Sequence, residues 1–377
     1  MPARLLYVVT EDWYFLSHRL PMARAAKAAG FEVHVATRVA GGRDAIETEG
    51  FILHHVPFAR GRLSPLAALA AIRALRRVHG EIEPVLCHHV AVQASMLGLL
   101  AAAGKPAACV NALTGLGYAF SSNTLKAKML RTAISWLLRT LMSRPDRIAL
   151  VQNPVDRADL IALGLPPDRI ALIPGSGVEI DELVSLPEPP GPPTAAFVGR
   201  LLDDKGIRTL VSAHRLLRQR GSQVELLIAG TPDPANPTSV SEQEAAAWNS
   251  EPGIRWLGQV KDISQVWARA SIAVLPSRRE GLPKSLLEAA ALGRPMVATD
   301  VPGCQEIVRQ EETGLLVPVD DPSALAAAIE KLATSPDLRA RYGAAARRLV
   351  ETEFSATAIG RQTVALYLKL QTSTRLG

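Results

Sequence analysis

The chain has 377 residues, long for a single core, so two domains are expected. Its hydrophobic content of 48% argues against disorder, and no uncharged apolar run reaches the roughly eighteen residues that a membrane-spanning helix needs. A net charge of +6 suits anionic partners such as sugar nucleotides, lipid phosphates or an anionic leaflet, while the lack of basic runs interleaved with aromatics argues against nucleic acid.

Residues 5–10 read as a buried strand rather than a signal peptide. The segment EDWYFLSHRLPMARAAKAAG follows as a loop and one helix ending at Gly30, and residues 31–36 form the next strand. This is a β-α-β unit of a doubly wound fold. Trp13 and Tyr14 read as core. Ser17, His18 and Arg19 open the helix near the expected ligand crevice, either as acceptor contacts or as structural residues. Residues 51–56 are a strand, 65–79 a helix, and 85–89 a strand ending in His88 and His89. Ligands in open sheets lie outside the carboxyl ends of strands, so His89 is placed for the crevice, with a structural role as the alternative. A strand at 108–111 leads into NALTGLGYAF, where Gly115 lets a backbone approach a ligand and Thr114 can hydrogen-bond it. Residues 121–144 carry Leu, Trp and basic side chains with no acid, as a helix that either lies in a membrane interface or packs on the sheet. After a strand at 147–152, IALIPGSGVEIDEL gives another strand and a Gly-rich turn containing Ser176 and Gly177. Cys87, Cys109 and Cys304 are odd in number and lack a C-x-x-C spacing, so they read as reduced thiols of a cytoplasmic protein and no metal is expected.

The Pro-rich stretch SLPEPPGPP, residues 185–193, is the clearest break in composition and reads as a stiff linker between domains. The next strand runs into Gly199, Arg200 and Lys205, a G-R-x4-K pattern. Arginine offers a planar fork for phosphate oxygens and lysine a point charge. Strands at 224–229 and 254–257 follow, the second opening a turn at Gly258 to Val260. Residues 273–300 read as strand, loop, helix, turn, strand: Pro283 suits the first helical turn, and Gly293 with Pro295 stops the helix. Glu280 and Glu288 lie in this stretch. On one helix they would stand roughly 80° and about 12 Å apart, too far to share a proton or a metal. With Glu280 in the loop and Glu288 in the helix, each holds a different part of an elongated ligand. The free N–H groups at the helix start, beside Gly281, Leu282 and Pro283, favour an anion there. A sugar diphosphate fits this set. Residues 323–348 and 355–371 are expected as two helices.

EGLPKSLLEAAALGRPMVAT closely resembles the E-x7-E signature of family 4 glycosyltransferases, retaining enzymes of the GT-B fold. G-R-x4-K resembles their diphosphate-binding pair, and Gly303 with Glu306 their P-G-x-x-E element. NALTGLGY and PGSGV resemble segments of a bacterial subgroup, the undecaprenyl-diphosphate-linked N-acetylhexosaminyl transferases of polysaccharide assembly. The resemblance implies an α/β chain of two Rossmann-like doubly wound domains with an interdomain cleft. They are an acceptor domain over 1–184, with a C-terminal helix at about 361–377 packed back onto it, and a nucleotide-sugar domain over 194–360. It implies Arg200, Lys205 and Glu280 as catalytic residues. The donor is held by these with Gly199, Gly258, Val260, Gly281, Leu282, Pro283 and Glu288. Acceptor contacts fall to Ser17, His18, Arg19, His89, Asn111, Thr114, Gly115, Ser176 and Gly177. The chain departs from the family in lacking a Gly-Gly loop after the first strand, in carrying Asn111 where many members have a histidine, and in Gln93 where many have a lysine.

The function implied is a retaining, metal-free and cofactor-free transfer of a hexose or N-acetylhexosamine. The donor is a UDP-sugar, UDP-GlcNAc or UDP-GalNAc being favoured. The acceptor is a polyprenyl-diphosphate-linked glycan at the inner face of the cell membrane, where the chain is expected as a cytoplasmic, peripheral protein. Two alternatives remain: a GT-B UDP-sugar 2-epimerase, against which the E-x7-E pattern argues, and a non-catalytic binding subunit, against which the presence of both Lys205 and Glu280 argues.

Overall fold

A computed structural model describes residues 2–59, 64–113, 139–140, 142 and 144–375. Thr114, Gly115 and most of the basic stretch 121–144 lie outside the described residues. The chain divides into two compact units, Met1–Ser176 with Ala356–Gly377, and Gly177–Ser355.

The first unit is built on seven strands, β1 (Ala3–Glu11), β2 (Phe31–Arg38), β3 (Ile52–His55), β4 (Leu86–Val90), β5 (Ala108–Ala112), β6 (Arg147–Val151) and β7 (Ile170–Leu172). Their order is β3-β2-β1-β4-β5-β6-β7, and every pair is parallel. The strands read as near-continuous apolar runs because both faces are covered. Leu6 and Val8 belong to the core on one face, and Leu5, Tyr7 and Val9 to the core on the other. The single helix expected after β1 is two, Asp12–His18 and Leu20–Ala28, broken at Arg19. Pro21 is the cause: inside a continuous helix its ring meets the carbonyl four residues back, whereas in the first turn of a new helix it is tolerated. Trp13, expected in the core, is exposed, and Phe15 fills the buried place.

The second unit has six parallel strands, β8 (Thr194–Val198), β9 (Glu225–Ala229), β10 (Ile254–Gly258), β11 (Ile272–Leu275), β12 (Met296–Thr299) and β13 (Gly314–Val317). Their order is β10-β9-β8-β11-β12-β13. The chain winds outward from β8 in one direction and then from β11 in the other. The expected helix at 323–348 is two, Pro322–Ala333 and Pro336–Leu349, because Pro336 starts a new first turn.

The division of the chain also differs from expectation. It falls after Ser176 rather than at 185–193, and the Pro-rich stretch lies on the second unit. Leu186 N–H donates to the Leu292 carbonyl at 3.4 Å, and Arg294 Nη2 donates to the Pro187 carbonyl at 3.0 Å. Arg339 Nε donates to Glu188 Oε1 at 2.7 Å. Prolines keep the segment extended, which leaves the Pro187 carbonyl free for Arg294 and the Glu188 carboxylate for Arg339 of the unit beneath. Among the described residues no helix is long and apolar enough to cross a membrane.

The last helix, Ala356–Arg375, belongs to the first unit. Gly360 lets it approach the helix Leu20–Ala28: a Cβ there would stand 2.7 Å from that of Ala25. It also carries a buried polar network onto the sheet. Tyr367 Oη meets Tyr7 Oη at 2.8 Å and makes a short hydrogen bond with His88 Nδ1. Tyr367→Phe strips both partners of this bond in a dry layer. It should lower the stability of the chain by about 1–3 kcal/mol, read as an earlier urea midpoint. A midpoint equal to that of the unsubstituted chain would show that the network adds nothing.

Candidate functional site

In a doubly wound sheet, ligands collect outside the carboxyl ends of the strands, where the winding direction reverses. In the second unit that point lies between β8 and β11. Arg200 and Lys205 follow β8, and Glu280 and Glu288 follow β11. The two sequence patterns therefore flank one crevice mouth within this unit.

Glycines set the geometry there. After β8 the chain makes a tight turn, Asp203–Lys205, and Gly206 then adopts a φ of 69°. A Cβ on Gly206 would lie 2.0 Å from the Pro276 carbonyl oxygen, so only glycine allows the turn to press against the loop after β11. Lys205 Nζ consequently meets Glu280 Oε1 at 2.5 Å. The same Glu280 oxygen accepts from Ser277 Oγ at 2.6 Å, while Thr299 Oγ1 donates to the Ser277 carbonyl. Glu280 is thus held from the loop, from β12 and from the turn after β8. Gly303 closes the far side: its φ is 82°, and a Cβ there would stand 2.4 Å from the Gly281 carbonyl oxygen.

Arg200 is half exposed and paired with Asp233 at 2.9 Å. An exposed pair of this kind is worth at most about 1 kcal/mol, so the guanidinium is readily given up to a phosphate. Gly199 follows β8 and Gly258 ends β10, on either side of β9, whose following residue Gly230 donates its N–H to the Gly258 carbonyl at 2.7 Å. Nothing stands within 4 Å of a Cβ placed on Gly258, which leaves its backbone open to a flat ligand. Val260, next in the turn, rests partly on the core.

Glu288 lies within the helix Lys284–Ala291, which starts at Pro283 with no side-chain cap, behind the buried Leu282. The positive end of this helix favours an anion beside it. Glu288 itself is buried, 3.3 Å from Lys284. Burial pushes its carboxyl up to about 7, against the pull of the Lys284 charge. Cys304 is buried near Glu280 and Lys205; burial and the Glu280 charge raise its thiol, partly offset by Lys205.

The acceptor candidates are more dispersed. Ser17 and His18 lie half-buried at the end of the helix Asp12–His18, where the His18 ring stacks on Tyr14 with centroids 4.2 Å apart. Arg19 is turned into the core, with Nη1 3.4 Å from the His18 carbonyl. His89 and Asn111 are fully buried and bonded to each other at 2.8 Å. Asn111 Nδ2 is spent on the carbonyls of Cys109 and Ile148, at 3.4 and 3.3 Å. These three residues serve the interior of the first unit rather than an open surface. Ser176 is buried at the end of the first unit, and Gly177 begins the second with a φ of 75°. Sequence reasoning missed Ser277, Thr299 and Asp233. Ser277 stands in the loop within residues 273–300, three residues before Glu280, and that proximity is the available signal.

Residues 18–175 match the family described as glycosyl transferase 4-like domain, and residues 192–335 the family described as glycosyl transferases group 1. The chain is 33% identical over 264 residues to alpha-maltose-1-phosphate synthase of Mycolicibacterium smegmatis, a match covering 63% of this chain and 66% of that protein. It is 32% identical over 171 residues to the capsular polysaccharide biosynthesis glycosyltransferase CapM of Staphylococcus aureus, covering 45% and 44%. The chain therefore spans less than two thirds of the length of these curated relatives. The crystal structure of Anabaena HepE in complex with UDP and glucose superposes with a TM-score of 0.78 at 18% identity, covering 97% of this chain and 99% of that one. That likeness establishes the GT-B fold.

The state of Glu288 is measurable. A carboxyl with a raised pKa binds its proton more tightly in the folded chain than in the unfolded one. Its contribution therefore falls as pH climbs from the ordinary glutamate range through about 7, and is level above that. Glu288→Gln, which cannot ionise, should gain stability over the unsubstituted chain on the order of 2–3 kcal/mol at pH 8 and converge with it near pH 4. Parallel urea titrations at several pH values check this; equal pH slopes for the two chains would refute it.

Proposed function

We propose that this chain, which belongs to the glycosyltransferases of the GT-B fold, moves a hexose or N-acetylhexosamine with retention from a UDP-sugar to a lipid-diphosphate-linked glycan in polysaccharide synthesis. The observation that carries the reading is the meeting of Arg200, Lys205, Glu280 and Glu288 around one switch point of the second sheet. Support for a uridine nucleotide comes from HepE, whose structure holds UDP and glucose, and support for polysaccharide assembly from the description of CapM.

In this reading the diphosphate lies between the cations and the start of the helix Lys284–Ala291. An ammonium has three donors, so Lys205 keeps Glu280 with one and offers the others to phosphate oxygens. Arg200 leaves Asp233 and adds a planar fork. The acceptor hydroxyl attacks the anomeric carbon, the bond from that carbon to the diphosphate oxygen breaks, and UDP leaves. The hydroxyl proton passes to the departing phosphate on the same face. Negative charge grows on the diphosphate during this step, so the two cations stabilise the transition state more than the ground state. They supply charge that a divalent ion supplies in other sugar-nucleotide sites, and the transfer takes no metal. Glu280 orients the sugar through a hydroxyl, and ionised Glu288 accepts from the ribose. UDP-GlcNAc or UDP-GalNAc is the favoured donor. The acceptor presents itself at the inner membrane surface, where the chain works as a peripheral protein.

The similarity to alpha-maltose-1-phosphate synthase favours one further reading, a soluble sugar phosphate as acceptor. Both readings are tested by incubating the chain with UDP-sugars and either a polyprenyl-diphosphate glycan or a hexose 1-phosphate. UDP release with the lipid-linked acceptor alone supports the first, and release with the sugar phosphate alone supports the second. Interconversion of the free UDP-sugar, or no turnover with any donor, would overturn both. Lys205→Ala should keep the fold and lower kcat by about 10²–10³-fold. Near-normal turnover in that variant would remove the phosphate role from Lys205.

A further inference from the structure

Cysteines twenty-two positions apart meet in the first unit because β4 and β5 run side by side. Cys87 pairs across the strands with Cys109, and His89 with Asn111. Alternation along a strand puts all four on one face. The two sulfurs and one ring nitrogen of His89 lie within 4.8 Å of one another, and all three residues are fully buried. From the helix Pro65–Ile82, His79 brings Nε2 to 3.8 Å from Cys87 Sγ.

The hydrogen bonds fix the form of His89. Asn111 donates its Nδ2 to two backbone carbonyls, so its Oδ1 faces His89 Nδ1. An amide oxygen only accepts; Nδ1 therefore carries the proton, and Nε2 keeps a bare lone pair. That nitrogen is buried and has no hydrogen-bond partner. A histidine anchored through one nitrogen to a carbonyl, with a lone pair on the other, is the arrangement that metal-binding histidines adopt.

We propose that Cys87, Cys109, His89 and His79 form a buried tetrahedral site for a thiophilic divalent ion, with zinc as the ion to test. Two sulfurs and two imidazoles suit zinc, which prefers this ligand set to hard oxygen donors. Two thiolates cancel the charge of the ion, so the filled site brings no net charge into the apolar layer. Filling it forms two metal–sulfur and two metal–nitrogen bonds and releases two thiol protons to water; no oxidant or reductant is involved. Tetrahedral zinc sets ligand atoms roughly 3.4–3.8 Å apart, which asks Cys87, Cys109 and His89 to close by about 1 Å and His79, already 3.8 Å from Cys87 Sγ, to turn in toward the other two. A hollow of about 300 Å³, lined by His79, Glu83, Val85 and Lys105 among others, opens beside His79. The ion ties β4, β5 and the helix Pro65–Ile82 together and takes no part in sugar transfer.

The test uses the full chain, produced with added zinc and purified without chelator. Metal content by mass spectrometry should be about one zinc per chain, retained through gel filtration. Exchange with Co²⁺ should give a thiolate-to-cobalt charge-transfer band. Cys87→Ser combined with Cys109→Ser should lose both signals, Cys304→Ser should keep both, and Asn111→Ala should weaken zinc binding about 10- to 100-fold. Zinc-free folded protein after incubation with Zn²⁺, cobalt binding without the thiolate band, or unchanged zinc in the double variant would each overturn the proposal. Should the double variant fail to fold, the cobalt spectrum of the unsubstituted chain decides alone. None of these readouts depends on the proposed transferase activity.

Discussion

The candidate donor site rests on one close approach between backbones. Gly206 lies against the carbonyl of Pro276, at a distance that no side chain permits. This contact draws the segment after β8 onto the segment after β11, the two strands between which the winding reverses. The Lys205–Glu280 pair is its direct product. Ser277 and Thr299 then hold the carboxylate from behind, so the pair is fixed before any ligand arrives. Preorganisation of this kind spares the reorganisation that solvent would otherwise impose as charge develops.

The two glutamates have separate electrostatic settings. Glu280 faces a lysine and a serine hydroxyl, whereas Glu288 is buried with Lys284 beside it. A buried carboxyl poised near neutrality depends on what covers it. A ligand that brings hydroxyl donors to Glu288 favours its ionised form. Donor binding and the charge of Glu288 are therefore linked in the proposed reading.

Much of the second unit was legible from local sequence. Arg200, Lys205, Glu280 and Glu288 each follow a strand at short range, so strand prediction and spacing suffice to place them. The parallel, doubly wound character was equally readable, since strands covered on both faces are written as unbroken apolar runs. What escaped depends on contacts remote in sequence. Asp233 reaches Arg200 from the next strand's loop, and Thr299 reaches Ser277 from β12. Asn111 and His89 stand at strand ends, as expected for ligand contacts, yet they bond each other inside the unit. The Pro-rich stretch read as a linker because proline stiffens a chain, but composition does not reveal that Arg294 and Arg339 bind it down. The cysteines looked scattered because strand register, not spacing, brings Cys87 and Cys109 together.

The first unit is discontinuous along the chain: residues 1–176 are completed only by Ala356–Gly377, with the whole second unit encoded between them. A ribosome therefore delivers Tyr7 and His88 long before Tyr367, the residue that both of them bond. During synthesis the second unit can close on its own contiguous sequence, while the first waits with an unfilled place on its sheet. The helix Ala356–Arg375, made after the whole second unit, is thus the one that completes the first, and a ribosome stalling short of it releases a chain whose N-terminal core is open.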